Sequence, residues 1–165
     1  QMSVNKFRAP EPEVVKEKKI EIVKEKKQEI KRIPKFSSVI GTINELVPYL
    51  GIIKCEHFSG STSSQLFLFA RFTHIQETLL DIQNCVSVGK IYNSDARIRE
   101  LDGEIRNMNV DMVQLKSQQI VPGASIIECK LLYARSLSNR IERHIGKDPY
   151  FNKLSDYLLA LSNLK

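Results

Sequence analysis

The sequence predicts an all-α protein, a four- to five-helix bundle with an N-terminal charged helical arm. Three observations lead there. Apolar residues recur at three- and four-residue spacing through most of 36–165. Helix start and stop signals stand at Ser125, Gly146 and Asp148. No alternating stretch is long enough to read as a convincing strand. With 165 residues, 42% of them apolar and none of them Trp, the chain can bury one sizeable core. The expected division is an extended leader and arm over 1–35 and a bundle over 36–165.

Residues 1–13 contain two prolines and little apolar content, and read as an extended leader; no secretory apolar region follows. The opening Gln1-Met2 is what a fragment or processed product would show. Residues 14–33 repeat VKEKK at 15–19 and 23–27. Their Glu/Lys alternation favours a solvated helix supported by i,i+4 pairs, with an imperfect apolar stripe of Val15, Ile20, Ile22, Val23, Ile30 and Ile33. The arm reads as a surface tether or as a docking helix for a partner protein.

The first bundle helix begins at Ser37 or Ser38 and turns Val39, Ile40, Ile43 and Leu46 inward, with a kink or break expected at Pro48. Residues 55–65, rich in Ser, read as a loop. A helix over about 64–88 follows, with Leu66, Phe69, Ile75, Leu79, Ile82 and Val86 inward. The next starts at Ser94 and carries Ile98, Leu101, Ile105, Met108 and Met112 on one stripe, where methionine is ordinary core filling. Residues 116–123 link it to the final pair. In that pair, Ser125 with Glu128 forms a capping box, Gly146 stops the helix, and Asp148 caps a second helix with Pro149 in its first turn. At 100° per residue Glu128, Arg135, Asn139 and Glu142 fall within about a 60° wedge, with Arg143 on its flank and Arg140 pointing elsewhere. On the last helix Phe151, Leu154, Leu158 and Leu161 form an apolar seam beside Asn152, Ser155 and Asp156.

Charge and cysteine usage exclude several classes. The net charge of +6 divides unevenly: residues 1–35 hold 11 Lys/Arg and 6 Asp/Glu, and residues 36–165 hold 14 and 13. The bundle itself is nearly neutral, so nucleic-acid contact is expected only through the basic tail. Three cysteines without a CxxC pair and three scattered histidines give no zinc spacing and no disulfide framework, so no metal site is expected. No uninterrupted apolar run reaches the length of a membrane span.

The final helix pair resembles the corrinoid adenosyltransferases of the ATP:cob(I)alamin type. The likeness is carried by PGAS, YARSLSNRIERHI and FNKLSDYLLAL, which resemble that family's PGG turn, its R-x3-R-R-x-E-R helix and its N-R-L-S-D helix. Upstream, Arg32-Ile33-Pro34-Lys35 and Gly41-Thr42-Ile43-Asn44-Glu45-Leu46 are similar to the family's R-x-P-K and G-T-x-D-E-L, and FTHIQETLLDIQNCV to its second helix. Coverage is roughly 32–165. The resemblance implies a trimeric helical bundle that binds ATP, Mg2+ and cobalamin between subunits and transfers a 5′-deoxyadenosyl group to Co(I). It implies Arg135, Arg140, Glu142, Arg143, Asn152, Ser155 and Asp156 as the ATP and corrinoid site, and Asn44 with Arg135 as an interface pair.

The departures fall on that same machinery. Asn139 stands where the family has a second arginine, Asn44 where it has the interface aspartate, and Lys153 where it has an arginine. Gln119 takes the place of the aromatic residue that displaces the lower ligand of cobalamin. The family's phosphate loop, T-[KR]-T-G-D-x-G, has no counterpart, since residues 11–40 contain neither Gly nor Thr. The expectation is a non-catalytic relative with no cofactor of its own. It would serve as a structural or interaction subunit, as a homotrimer or within a larger assembly, through protein partners at its N-terminal arm. A mitochondrial location is expected, with the cytoplasm as the other choice; the alternative function is a working adenosyltransferase.

Overall fold

In the computed structural model, residues 36–146 and 148–164 are described. The leader, the arm and the Arg32–Lys35 segment lie outside the described residues. Within them the chain is all-helical, with no strand and six helices: α1 Phe36–His57, α2 Ser63–Ser87, α3 Asp95–Asn107, α4 Met112–Ser117, α5 Ile126–Ile145 and α6 Pro149–Ser162.

The caps form at the residues the sequence marks, although Glu128 does not close the capping box on the Ser125 amide. Thr62 Oγ1 accepts the Gln65 amide at the start of α2, and Ser125 Oγ accepts the Glu128 amide at the start of α5. The Glu128 carboxylate reaches back past the cap itself to the amides of Gly123 and Ala124 at 3.1 and 3.4 Å. Gly146 closes α5 at φ 83°, a conformation that a Cβ would strain. Asp148 accepts the Tyr150 and Phe151 amides, with Pro149 in the first turn of α6.

α6 lies at the centre. Nine of its fourteen residues are buried, including Tyr150, Phe151, Leu154, Tyr157 and Leu158, and it packs on α3, α4 and α5. α5 supplies Leu131, Ala134, Leu137 and Ile141 to the same core. α1 supplies Val39, Ile43, Leu46, Leu50 and Ile53, and α2 supplies Phe72, Ile75, Leu79 and Ile82. Side-chain bonds pin α2 to α1: Gln76 Nε2 donates to the Val47 carbonyl at 2.8 Å, and Lys54 Nζ to Thr73 Oγ1 at 2.9 Å.

Five local expectations are corrected. α1 runs through Pro48 without a break; the residue is exposed, so the carbonyl deprived of its amide partner faces the solvated side of the helix. By length and composition α1 also qualifies as a membrane-crossing helix, with a mean hydropathy of 1.3 in its most apolar window. Interspersed Ser, Thr and Gly break up its apolar runs without adding charge, and the bundle core accounts for its inward stripe. Leu66, in the first turn of α2, is 59% exposed, and Phe72 takes the expected inward place. The loop before α2 is short and anchored rather than open, because Phe58 is buried edge-to-face on Phe72 at 5.1 Å. The stripe from Ile98 to Met112 belongs to two helices. α3 ends at Asn107, the backbone turns through Asn109 at φ 53°, and Asp111 caps the short α4, which covers the start of the expected linking loop.

Candidate functional site

The polar wedge of α5 is set by its core face. With Leu131, Ala134, Leu137, Ser138 and Ile141 held inward, Glu128, Arg135, Asn139 and Glu142 line up along the adjoining flank. Asn139, Glu142, Arg143 and Gly146 line a pocket of about 430 Å³ at the C-terminal end of α5. Asn152, on the first turns of α6, donates from Nδ2 to Glu142 Oε1 at 3.4 Å. Glu142, Arg143 and Asn152 of the expected site are thus brought together, with Asn139 beside them.

The other expected residues are dispersed. Ser155 is buried in the α5–α6 seam; its hydroxyl and that of Ser138 lie 2.9 Å apart and share the Phe151 carbonyl at 2.8 and 3.0 Å. Asp156 forms an ion pair with Lys116 of α4 at 2.8 Å. Arg140 turns to α1, as its place on the helical wheel requires, and pairs with Glu45 at 3.2 Å. Asn44 does not meet Arg135 within the chain; its Oδ1 accepts Gln83 Nε2 at 2.8 Å. The Nε of Arg135 is buried without a hydrogen-bond acceptor, an arrangement that leaves a cationic donor unsatisfied. Lys153 bridges to Asp102 of α3 at 2.9 Å and holds that carboxyl below the usual carboxylate range.

A magnesium triphosphate needs uncommitted cations and oxygen ligands around it. Here Glu128 is taken by two backbone amides, Glu142 by Asn152 and Asp156 by Lys116. Of the three arginines in the expected site, Arg140 is spent on Glu45. No group of three or more His, Cys, Asp or Glu among the described residues could hold a metal ion. Gln119, at the position of the family's cobalamin-facing aromatic, is an exposed residue of the loop before α5. Within the chain the expected site's carboxylates are thus committed to internal partners, while Arg143 stands at the edge of the pocket and the Arg135 Nε lacks an acceptor.

A second polar cluster, between α2 and α3, escapes the sequence reading. Arg71 Nε lies 2.5 Å from Glu104 Oε1, and its Nη1 lies 3.2 Å from Glu100 Oε2. Arg97 pairs with Glu100 at 2.9 Å. The two nitrogens of His74 face Arg71 at 3.0 Å and Arg97 at 2.5 Å. Beneath the cluster, Tyr157 of α6 is pushed up by burial and by the neighbouring Glu104 carboxylate. The available signal is the spacing of Arg71 and His74 on one face of α2 and of Arg97, Glu100 and Glu104 on one face of α3. Which two faces would meet is set by tertiary packing.

Comparison with known families finds that the model described as cobalamin adenosyltransferase matches residues 22–164. No curated protein matches the chain.

Proposed function

The chain belongs to the cobalamin adenosyltransferase family, and from that premise we propose that it keeps the family's bundle without the ATP chemistry. It acts as a structural or interaction subunit of a larger assembly, with the basic N-terminal arm as its grip on protein partners and the mitochondrion as its compartment. The observation that carries this reading is the commitment of the expected site's charges to helix packing. Asp156 neutralises Lys116, Arg140 neutralises Glu45, and Ser155 is buried in the seam.

Binding a triphosphate would require Arg140 and Asp156 to leave their present partners for the ligand, with Asn139 adding no charge. Losing one such contact typically costs a factor of about 100 or more in rate. The sequence supports the same reading, since residues 11–40 offer no Gly or Thr for a phosphate loop.

Isothermal titration of the full chain with ATP and Mg2+ tests it. The expected result is no saturable heat in the micromolar range. Micromolar binding, followed by adenosylcobalamin formation when reduced cobalamin is added, would establish the catalytic alternative instead.

A further inference from the structure

α4 is the least anchored helix of the bundle. It is six residues long, Leu115 is its one buried residue, and Val113 is 83% exposed. A helix this short has no stability of its own and depends on what it docks against. Its helical neighbour is α6.

Both flanks can act as hinges. On one side the chain turns through Asn109 at φ 53°, the only non-glycine residue at positive φ among those described. On the other, residues 118–125 carry no regular structure and reach α5 through Gly123 at φ 151°. The far end of that loop is fixed, because Glu128 holds the Gly123 and Ala124 amides.

Among the described residues one side-chain bond ties α4 to the rest of the bundle, the ion pair of Lys116 with Asp156. The hydrogen bonds of Asp111, Gln114 and Ser117 stay within the turn itself. A pocket of about 460 Å³ separates α4 from the end of α6, with Gln114, Leu115 and Gln118 on one wall and Asn163 and Leu164 on the other.

We propose that α4 is a strap that opens from α6 as a unit, with the Lys116–Asp156 ion pair as its latch. Closed, the strap masks the Asp156 carboxylate, which is only 15% exposed beside Lys116. Open, it presents that carboxylate to solvent or to a basic partner and widens the pocket between Gln114 and Asn163. Local opening of this kind draws on the elements with fewest buried contacts, and α6, with nine buried residues, stays in place.

Amide hydrogen exchange on the full chain, read by mass spectrometry, tests the latch. In the wild type, amides of 112–118 should exchange at least about ten-fold faster than those at the centre of α6. Lys116→Gln, a surface change, should accelerate 112–118 by a further factor of about three and leave the centre of α6 unchanged. Asp156→Asn should do the same, and the exchanged pair K116D/D156K should return the wild-type rate. Exchange of 112–118 in step with α6 in the wild type would overturn the strap. An unchanged rate in Lys116→Gln would overturn the latch.

Discussion

Two charged regions of the bundle are built in opposite ways. Between α2 and α3, five side chains converge: Arg71, His74, Arg97, Glu100 and Glu104 each face at least one other, and Arg71 and Glu104 are only 16% and 13% exposed. Along α5 and α6, where the family's motif residues stand, the charges part company. Arg140 goes to α1, Asp156 to α4 and Glu142 to Asn152. Convergent, partly buried ionisable groups are where an active site is usually sought, yet here the convergent cluster joins two helices and includes none of the expected site residues. The comparison teaches that charged residues on neighbouring helices can be spent on separate pairwise contacts while the apolar seam beneath them stays continuous.

The largest expected difference between the two regions lies in what a single deletion strands. Glu104→Ala leaves Arg71 largely buried with Glu100 as its one carboxylate partner and His74 beside it, and should cost about 3 kcal/mol of unfolding free energy, the low end for a broken buried pair. Lys116→Gln, in the dispersed region, should cost less than about 1 kcal/mol because the lysine is 44% exposed. Urea unfolding of both variants measures the contrast, and equal losses would erase it.

A smaller effect belongs to the seam the two regions share. Ser138→Ala removes one hydroxyl from the buried group formed with Ser155 and the Phe151 carbonyl. It should cost about 1–2 kcal/mol, since the carbonyl keeps only one of its two side-chain donors. A loss near zero would show that Ser155 alone satisfies the site.

How much of this is legible in the sequence follows the range of each interaction. Ser125, Glu128, Gly146 and Asp148 act within a few residues, and their caps form where the sequence places them. The stripe on α5 is equally local, so Arg140 is already turned away from Asn139 and Glu142 by the helical period alone. The partners are not local. Nothing in the periodicity of 112–117 shows that Lys116 will reach Asp156 forty residues on, or that Arg71 will meet Glu104. Pro48 misleads for a related reason, since its effect depends on whether its side of the helix faces water or core. Leu66 lies about 160° around α2 from the stripe of Phe72, Ile75, Leu79 and Ile82 at 100° per residue, so the helical period itself turns it to solvent.

Acid should affect the pairs in a defined direction. Lys153 holds the Asp102 carboxyl below its ordinary range, and Lys130 does the same for Glu56. A carboxyl whose folded-state value is lowered adds stability above its unfolded value, and that share is lost as pH falls through the folded value. The stability gap between wild type and Asp102→Asn should therefore be widest above the ordinary carboxylate range and close on acidification. A gap that stays constant down to about pH 2 would show that Asp102 contributes through contacts other than its charge.

The smallest effect is expected at Arg140, and there the two accounts of the site divide most sharply. Its partner Glu45 is 55% exposed and Arg140 itself 43%, so solvent screens the pair, and Arg140→Ala should change stability by no more than about 0.5 kcal/mol. If Arg140 contacted a nucleotide as the family motif implies, ATP would raise the melting temperature of the wild type and fail to do so in the variant, because a ligand stabilises only the state it binds. With the guanidinium committed to α1, neither protein should shift with ATP and Mg2+. The same pair of melts therefore tests whether Arg140 serves helix packing or nucleotide binding.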